Sequence, residues 1–302
     1  AEITVVKQVL SRFMSGAKRT IMVHVSLLRH VLESPVSFSI SDEKSLQSLL
    51  SFLNSVEYDG GTCLSSMTSF FQTQAVDLCL LFTDAFTNVG PEAVETSGIK
   101  APIYAFSNAI KVNSSVLSHI AQKSGGLFQN ILNASPKALE NASAAVGEQV
   151  FSFLYAEPED QDLLVDVVPT KPTPAQGTFI VAGRIDNATP KSSTIKLCYG
   201  YGNQVTRSVS FTVDPAKATK SDVLNIFWAS RMIDDLSAFS EMNKDALKHL
   251  GLAFGLVTPG TSLIVLENLE QHIKYSVEPA ASRTVLRNAY LDAMKQRHAD
   301  EK

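Results

Sequence analysis

Only three cysteines (Cys63, Cys79 and Cys198) occur among 302 residues. They are too few for a disulfide framework and lack the spacing of a metal site. Cys79 lies inside an apolar run, where a cysteine acts as a small buried hydrophobe. An excess of basic charge is missing too: 26 Lys and Arg against 30 Asp and Glu leave a net charge of −4. Neither nucleic acid nor an anionic membrane is therefore indicated as a partner, since both need a basic face. Arg283, Arg287, Lys295 and Arg297 gather near the C-terminus, but Asp292, Asp300 and Glu301 dilute them, as on a solvated helix face. The longest apolar runs, Val76 to Phe82 and Leu252 to Val257, are far short of a membrane span. No basic-then-apolar leader opens the chain.

Catalytic signatures are equally scarce. There is no G-x-S-x-G elbow, no H-E-x-x-H among the six histidines, no P-loop and no G-x-G-x-x-G fingerprint. Cys63 with a distant histidine would be a nominal nucleophile whose base nothing identifies. The chain therefore reads as non-enzymatic. What it does contain is an ordinary globular composition, 45% hydrophobic and 19% charged, at a length sufficient for two domains. Asn113, Asn133, Asn141 and Asn187 each open an Asn-x-Ser/Thr triplet, which suits an extracellular protein but arises by chance in a serine-rich chain. Compartment and oligomeric state stay open.

In the first half, helical and strand patterns alternate. Val5, Val6, Val9, Leu10 and Phe13 form an apolar stripe at helical spacing within 3–15. TIMVHVSLL (20–28) and PVSFSI (35–40) read as strands. Ser41 is the expected N-cap of a helix faced by Leu46, Leu49, Leu50 and Leu53, and the YDGGT turn (58–62) ends it. A helix over 63–73 precedes AVDLCLLFTD (75–84), apolar enough for a parallel strand buried on both faces. PIYAFS (102–107) reads as another such strand. Residues 116–131 read as a helix, a Gly-Gly turn and a last strand. This alternation implies a doubly wound, Rossmann-like α/β sheet, whose ligands bind beyond the carboxyl ends of the strands. Thr62 and Asp84 fall at such positions. Their hydroxyl and carboxylate are hard oxygen donors suited to Mg²⁺ or Mn²⁺, although an aspartate ending a strand is more often a turn or cap residue.

The order GGTCLSSM (60–67), DLCLLFTDAFTNVG (77–90), PIYAFS (102–107) and HIAQKSGGLFQNI (119–131) resembles a von Willebrand factor A domain. The resemblance implies that Thr62 and Asp84 belong to a metal-ion-dependent adhesion site. The family's other ligands come from an Asp-x-Ser-x-Ser loop after its first strand, and no such motif precedes Thr62 here. Strong metal binding is therefore not expected of this chain, and a domain lacking its first strand is. That strand lies mid-sheet in the family, so its loss would leave two edges unpaired. A chain shortened at its start is the expected explanation. Ala85 stands where the family usually has glycine.

Residues 133–147 read as a linker. The segments 148–155, 162–169, 178–185, 193–202 and 206–213 alternate as short strands around a Pro-rich connection (169–177), suggesting a small antiparallel β-sandwich. Helices are expected over 221–239 and from 243 to about Gly251, then a strand within LVTPGTSLIVLE (256–267), bent at Pro259-Gly260, and a last amphipathic helix (282–298). FWASRMIDDL (227–236) followed by HLGLAFGLVTPGTSLIVLENLEQH (249–272) resembles the region after the A domain in inter-alpha-trypsin inhibitor heavy chain-like proteins. Trp228 and Arg231 read as structural contacts. The domains expected are thus 1–147, 148–280 and a helix over 281–302. The resemblance implies a protein-recognition or adhesion module whose partner offers an acidic side chain to the ion. The alternative is a structural or assembly protein with a vestigial metal site.

Overall fold

A computed structural model of the chain describes residues 1–16, 20–57, 60–91, 93–159, 164–175, 178–185, 192–202, 204–217, 219 and 221–300. Tyr58, Asp59, Asp162, Leu163, Gln176, Gly177, Glu301 and the triplet at Asn187 lie outside the described residues. Ala1–Pro259 and Gly260–Lys302 form two separate units.

The apolar stripe of helix α1 (Glu2–Gly16) serves two cores at once. Val6 and Leu10 pack with Ile40, Leu46, Leu49 and Leu50. These come from the antiparallel hairpin β1 (Ile21–Val25) and β2 (Val36–Ile40), and from helix α2 (Glu43–Ser55). Val5 and Val9 instead pack with Tyr104, Phe106 and Ile131. Each fully buried valine of this kind is worth roughly 1.5–3 kcal/mol. The cap of α2 falls one residue later than expected, at Asp42, whose carboxylate accepts the Ser45 amide in a reciprocal capping box. A carboxylate with a serine three residues on satisfies two backbone donors, which Ser41 could not do from its position.

After α2 the expected helix over 63–73 divides into a 3₁₀ turn (Leu64–Met67) and α3 (Thr68–Thr73). A parallel three-stranded sheet follows: β3 (Cys79–Phe82), β4 (Ile103–Ser107) and β5 (Phe128–Asn130), in that order. Helix α4 (Ser114–Ser124) lies between β4 and β5 in sequence, capped by Asn113 and ended by left-handed Gly125. All five residues of β4 are buried, as its apolar run requires of a central strand. Cys79 and Leu81 face the core containing Leu117 and Ile120 of α4. Leu80 and Phe82 face the core of α1 and of α5 (Pro136–Ala144). Helices thus cover both faces of a parallel sheet. The segment 133–147, expected as a linker, is mostly α5: Ser135 caps it, Pro136 occupies its first turn, and Ala142 and Val146 are buried against α1. Its small residues give a weak apolar signal yet let two helices approach closely.

On α4, the His119 ring packs edge-on against Phe239 at 4.9 Å. Burial, then Lys171 and Lys123, pull its pKa from 6.5 to about 4, with Asp235 opposing. Between those values the unfolded chain binds a proton that the folded chain does not, so stability rises with pH across that window. We expect the urea midpoint to fall from pH 7 to pH 4, and the fall to be smaller in His119→Gln.

The rest of the first unit is an antiparallel sheet with helices. Strands β6 (Phe151–Pro158), β7 (Leu164–Val168), β8 (Thr173–Pro174), β9 (Ala182–Ile185), β10 (Ser193–Tyr201) and β11 (Gln204–Val213) follow in sequence. They form a four-stranded sheet, β11-β10-β6-β8, and a two-stranded ribbon, β7-β9. Phe179, just before β9, meets Phe153 of β6 at 5.4 Å. A cavity of about 260 Å³ between ribbon and sheet is lined by Val167 and Ile185 opposite Leu197 and Phe211. Helix α6 (Asp222–Leu236) is tied to β7 by the Trp228 indole, which donates to the Asp166 carbonyl at 2.8 Å. Trp228 also packs edge-on against Phe254, and Arg231 lies over Phe227 and pairs with Asp234, so both are structural contacts. Helix α7 (Lys244–Phe254) runs past Gly251, which is buried inside it, and stops at Gly255 in the left-handed conformation.

In the second unit, α8 (Leu269–Tyr275) and α9 (Thr284–Asp300) pack together. An Asn268–Gln271 capping box starts α8. Residues 261–267 form no strand ladder, contrary to their β-branched pattern, and Leu263 and Val265 are 76% and 83% exposed. A strand needs a partner's backbone, and none pairs with this segment among the described residues. No helix among them is long and apolar enough to cross a membrane.

Candidate functional site

The sheet expected in the first half falls into two pieces. Among the described residues, β1 pairs only with β2, and β3 only with β4. Between them lies a cavity of about 1080 Å³, lined by the length of β1 on one side and of β3 on the other. Both strands end at the same loop. Just past β1, the Arg29 carbonyl accepts the Cys63 amide at 2.8 Å. Beyond β3, the Asn88 side chain accepts the Thr62 amide at 2.6 Å, while the Thr62 carbonyl accepts the Asn88 amide at 3.1 Å. Hence β1 and β3 run in the same direction, and Thr62 stands at their shared carboxyl end.

Asp84 stands there as well, two residues beyond β3, and both Thr62 and Asp84 line the cavity. The two site residues singled out in the sequence thus line one and the same cavity. Asp84 is already partly engaged: one oxygen accepts the Phe86 amide at 3.1 Å, and its carbonyl accepts the Asn113 amide at 2.8 Å. Ala85, next in line, is buried and left-handed (φ 60°), the conformation glycine favours and alanine adopts at roughly 1–2 kcal/mol. At Gly61 the chain passes close to its neighbours: a Cβ there would lie 2.7 Å from Val89 Cγ2 and 3.0 Å from Asn88 Oδ1, so these side chains would have to shift. Asn88, which clamps the Thr62 loop, was legible in the sequence only as a polar loop residue. Nothing local signals a contact made across 26 residues.

As a metal site the pair is sparse. It offers one hydroxyl and one carboxylate, and no group of three His, Cys, Asp or Glu able to hold an ion occurs among the described residues. Hard divalent ions take six or more oxygens, so these residues alone do not fit a tightly held ion. The surroundings are acidic all the same. Glu2 and Glu57 also line the cavity, Asp77 lines it before the start of β3, and burial raises the pKa of Glu2. Arg29 is engaged by Glu33 at 2.9 Å. Burial pushes the Cys79 thiol on β3 up to about 12, so it stays protonated at neutral pH.

No family model matches the chain, and no curated protein does. Among solved structures it is similar to the ArnB paralog VWA2 from Sulfolobus acidocaldarius, at 12% identity and a TM-score of 0.41, over 94% of this chain and 77% of that one. It is also similar to a von Willebrand factor type A protein from Catenulispora acidiphila, at 11% identity and a TM-score of 0.40, over 82% of this chain and 77% of that one.

Proposed function

We propose that this chain is a non-enzymatic protein-recognition module of the von Willebrand factor A type, with Thr62 and Asp84 marking its binding end. The observation that carries this reading is the placement of both residues at the shared carboxyl end of β1 and β3, beside a largely apolar cavity. Ligands of α/β sheets bind at that end. We read the sheet and ribbon after residue 148 as a small β-sandwich. The segments 227–236 and 249–272 support an inter-alpha-trypsin inhibitor heavy chain-like subtype through their sequence alone. Mg²⁺ or Mn²⁺ binds only weakly in this reading, because two side chains leave most of the coordination to water.

Calorimetric titration of Mn²⁺ and Mg²⁺ into the chain and into Asp84→Ala tests it. A dissociation constant on the order of 1 mM, lost in Asp84→Ala, is expected. Absence of binding up to tens of millimolar would remove metal assistance. It would favour the structural or assembly reading, which the exposed apolar residues Val223 and Leu224 of α6 (74% and 63%) also support.

A further inference from the structure

We propose that the seam between the α/β half (1–146) and the β-rich half that follows it is an acid-operated catch. It closes where His119 of α4 meets Phe239, Lys171 and Asp235, and it opens in mild acid while both halves stay folded. The inference does not depend on whether an ion binds at Thr62 and Asp84.

The seam is narrow where it meets α4. Phe239 lies in the 3₁₀ turn Ser237–Phe239, directly after α6. Among the described residues, it is the one side chain of the β-rich half in the core around Leu117 and Ile120. The His119 ring stands edge-on to it, 4.9 Å between centroids. From the same side of the seam the Lys171–Asp235 pair, 3.1 Å apart and nearly buried, acts on that ring. Two glycines mark the other places where the halves approach. At Gly125, the end of α4, an added Cβ would lie 3.4 Å from Gly202 Cα in the β10–β11 turn. The chain itself crosses between the halves at left-handed Gly147, just after α5. Glycines at the crossing and at the second contact let the backbone turn once Phe239 is released.

A neutral imidazole suits this place and an imidazolium does not. Lys123 lies one turn further along α4, Lys171 comes from the segment before β8, and Asp235 from α6. Strands β4 and β5 and the 3₁₀ turn, which also pack on α4, carry no charged side chain. Two cations thus stand against one anion, and that anion is already engaged. One oxygen of Asp235 holds the Lys171 ammonium, and the other accepts the Thr170 amide and hydroxyl. A proton on His119 adds a third cation to a seam with little water. Burial and the two lysines hold the ring at about 4 in the closed form, against 6.5 for a ring in water. Protons therefore bind the open form more tightly. As pH falls from 7 to 5 the open-to-closed ratio should rise about tenfold, allowing for screening at a partly exposed ring.

The test uses the whole chain, with energy transfer from Trp228, its only tryptophan, to a dye on Lys137→Cys. Trp228 is tied to Asp166 and Phe254 within the β-rich half, and Lys137 is exposed on α5 in the other. The unsubstituted chain, labelled in the same way, gives the background from Cys63, Cys79 and Cys198. Transfer should fall reversibly between about pH 7 and pH 4.5 while far-UV circular dichroism stays constant. In His119→Gln the fall should be absent or move down by about one pH unit or more. In His119→Lys, with circular dichroism confirming the fold, transfer should already be low at pH 7. Constant transfer down to pH 4.5, the same fall in His119→Gln, or a fall that coincides with loss of circular dichroism would each overturn the proposal.

Discussion

Asp235→Ala is expected to destabilise the first unit by about 3–5 kcal/mol, the usual consequence of leaving one member of a buried ion pair alone. The Lys171 ammonium lies 3.1 Å from the Asp235 carboxylate, and the two side chains are only 10% and 11% exposed. The other carboxylate oxygen accepts the Thr170 amide (2.7 Å) and hydroxyl (2.9 Å). One aspartate on α6 thus holds the segment leading into β8 through three contacts. Removing it strands the buried ammonium, while the exposed Thr170 amide and hydroxyl turn to water. Urea unfolding of Asp235→Ala should show the loss, and the double change Lys171→Met with Asp235→Leu should restore most of it, since no charge is then left buried. A loss below about 1 kcal/mol, the range of exposed pairs, would show that water reaches the pair.

The second large effect is expected at Gly126, in the turn between α4 and β5. A Cβ there would stand 2.1 Å from the carbonyl oxygen of Ile103 and 2.5 Å from its carbonyl carbon. That obstacle is the backbone of the central strand, which cannot rotate aside like a side chain. Gly126→Ala should therefore cost about 3 kcal/mol or more, beyond ordinary overpacking. At Gly98 a Cβ would meet nothing within 4 Å, and Gly98→Ala should change stability by about 0.5 kcal/mol or less. Comparable thermal shifts in the two variants would contradict the placement of the turn against β4.

Where a local pattern decides the outcome, the sequence was informative. The valines of α1, the leucines of α2 and the run Ile103–Ser107 all fold and bury as their spacing suggests. Helix α5 escaped notice because alanine and serine give little contrast between faces. Helix α8 was missed although Asn268 and Gln271 have capping-box spacing. The segment 261–267 erred the other way: β-branched composition promises a strand, but pairing is decided elsewhere in the chain. The same holds for the site. Thr62 and Asp84 could be picked out one at a time, yet their sharing of one cavity depends on the Asn88 clamp and on two strands ending at one loop. The gap between those strands is a property of pairing, which periodicity does not encode.

Strands β1 and β3 are neighbours across an open gap. The most direct measurement is amide hydrogen exchange, resolved by residue along β3. Leu80 and Phe82 should exchange far faster than Cys79 and Thr83, whose amides are bonded towards β4. Equal, strong protection at all four would mean that the outer edge of β3 is already paired, and that the gap does not exist.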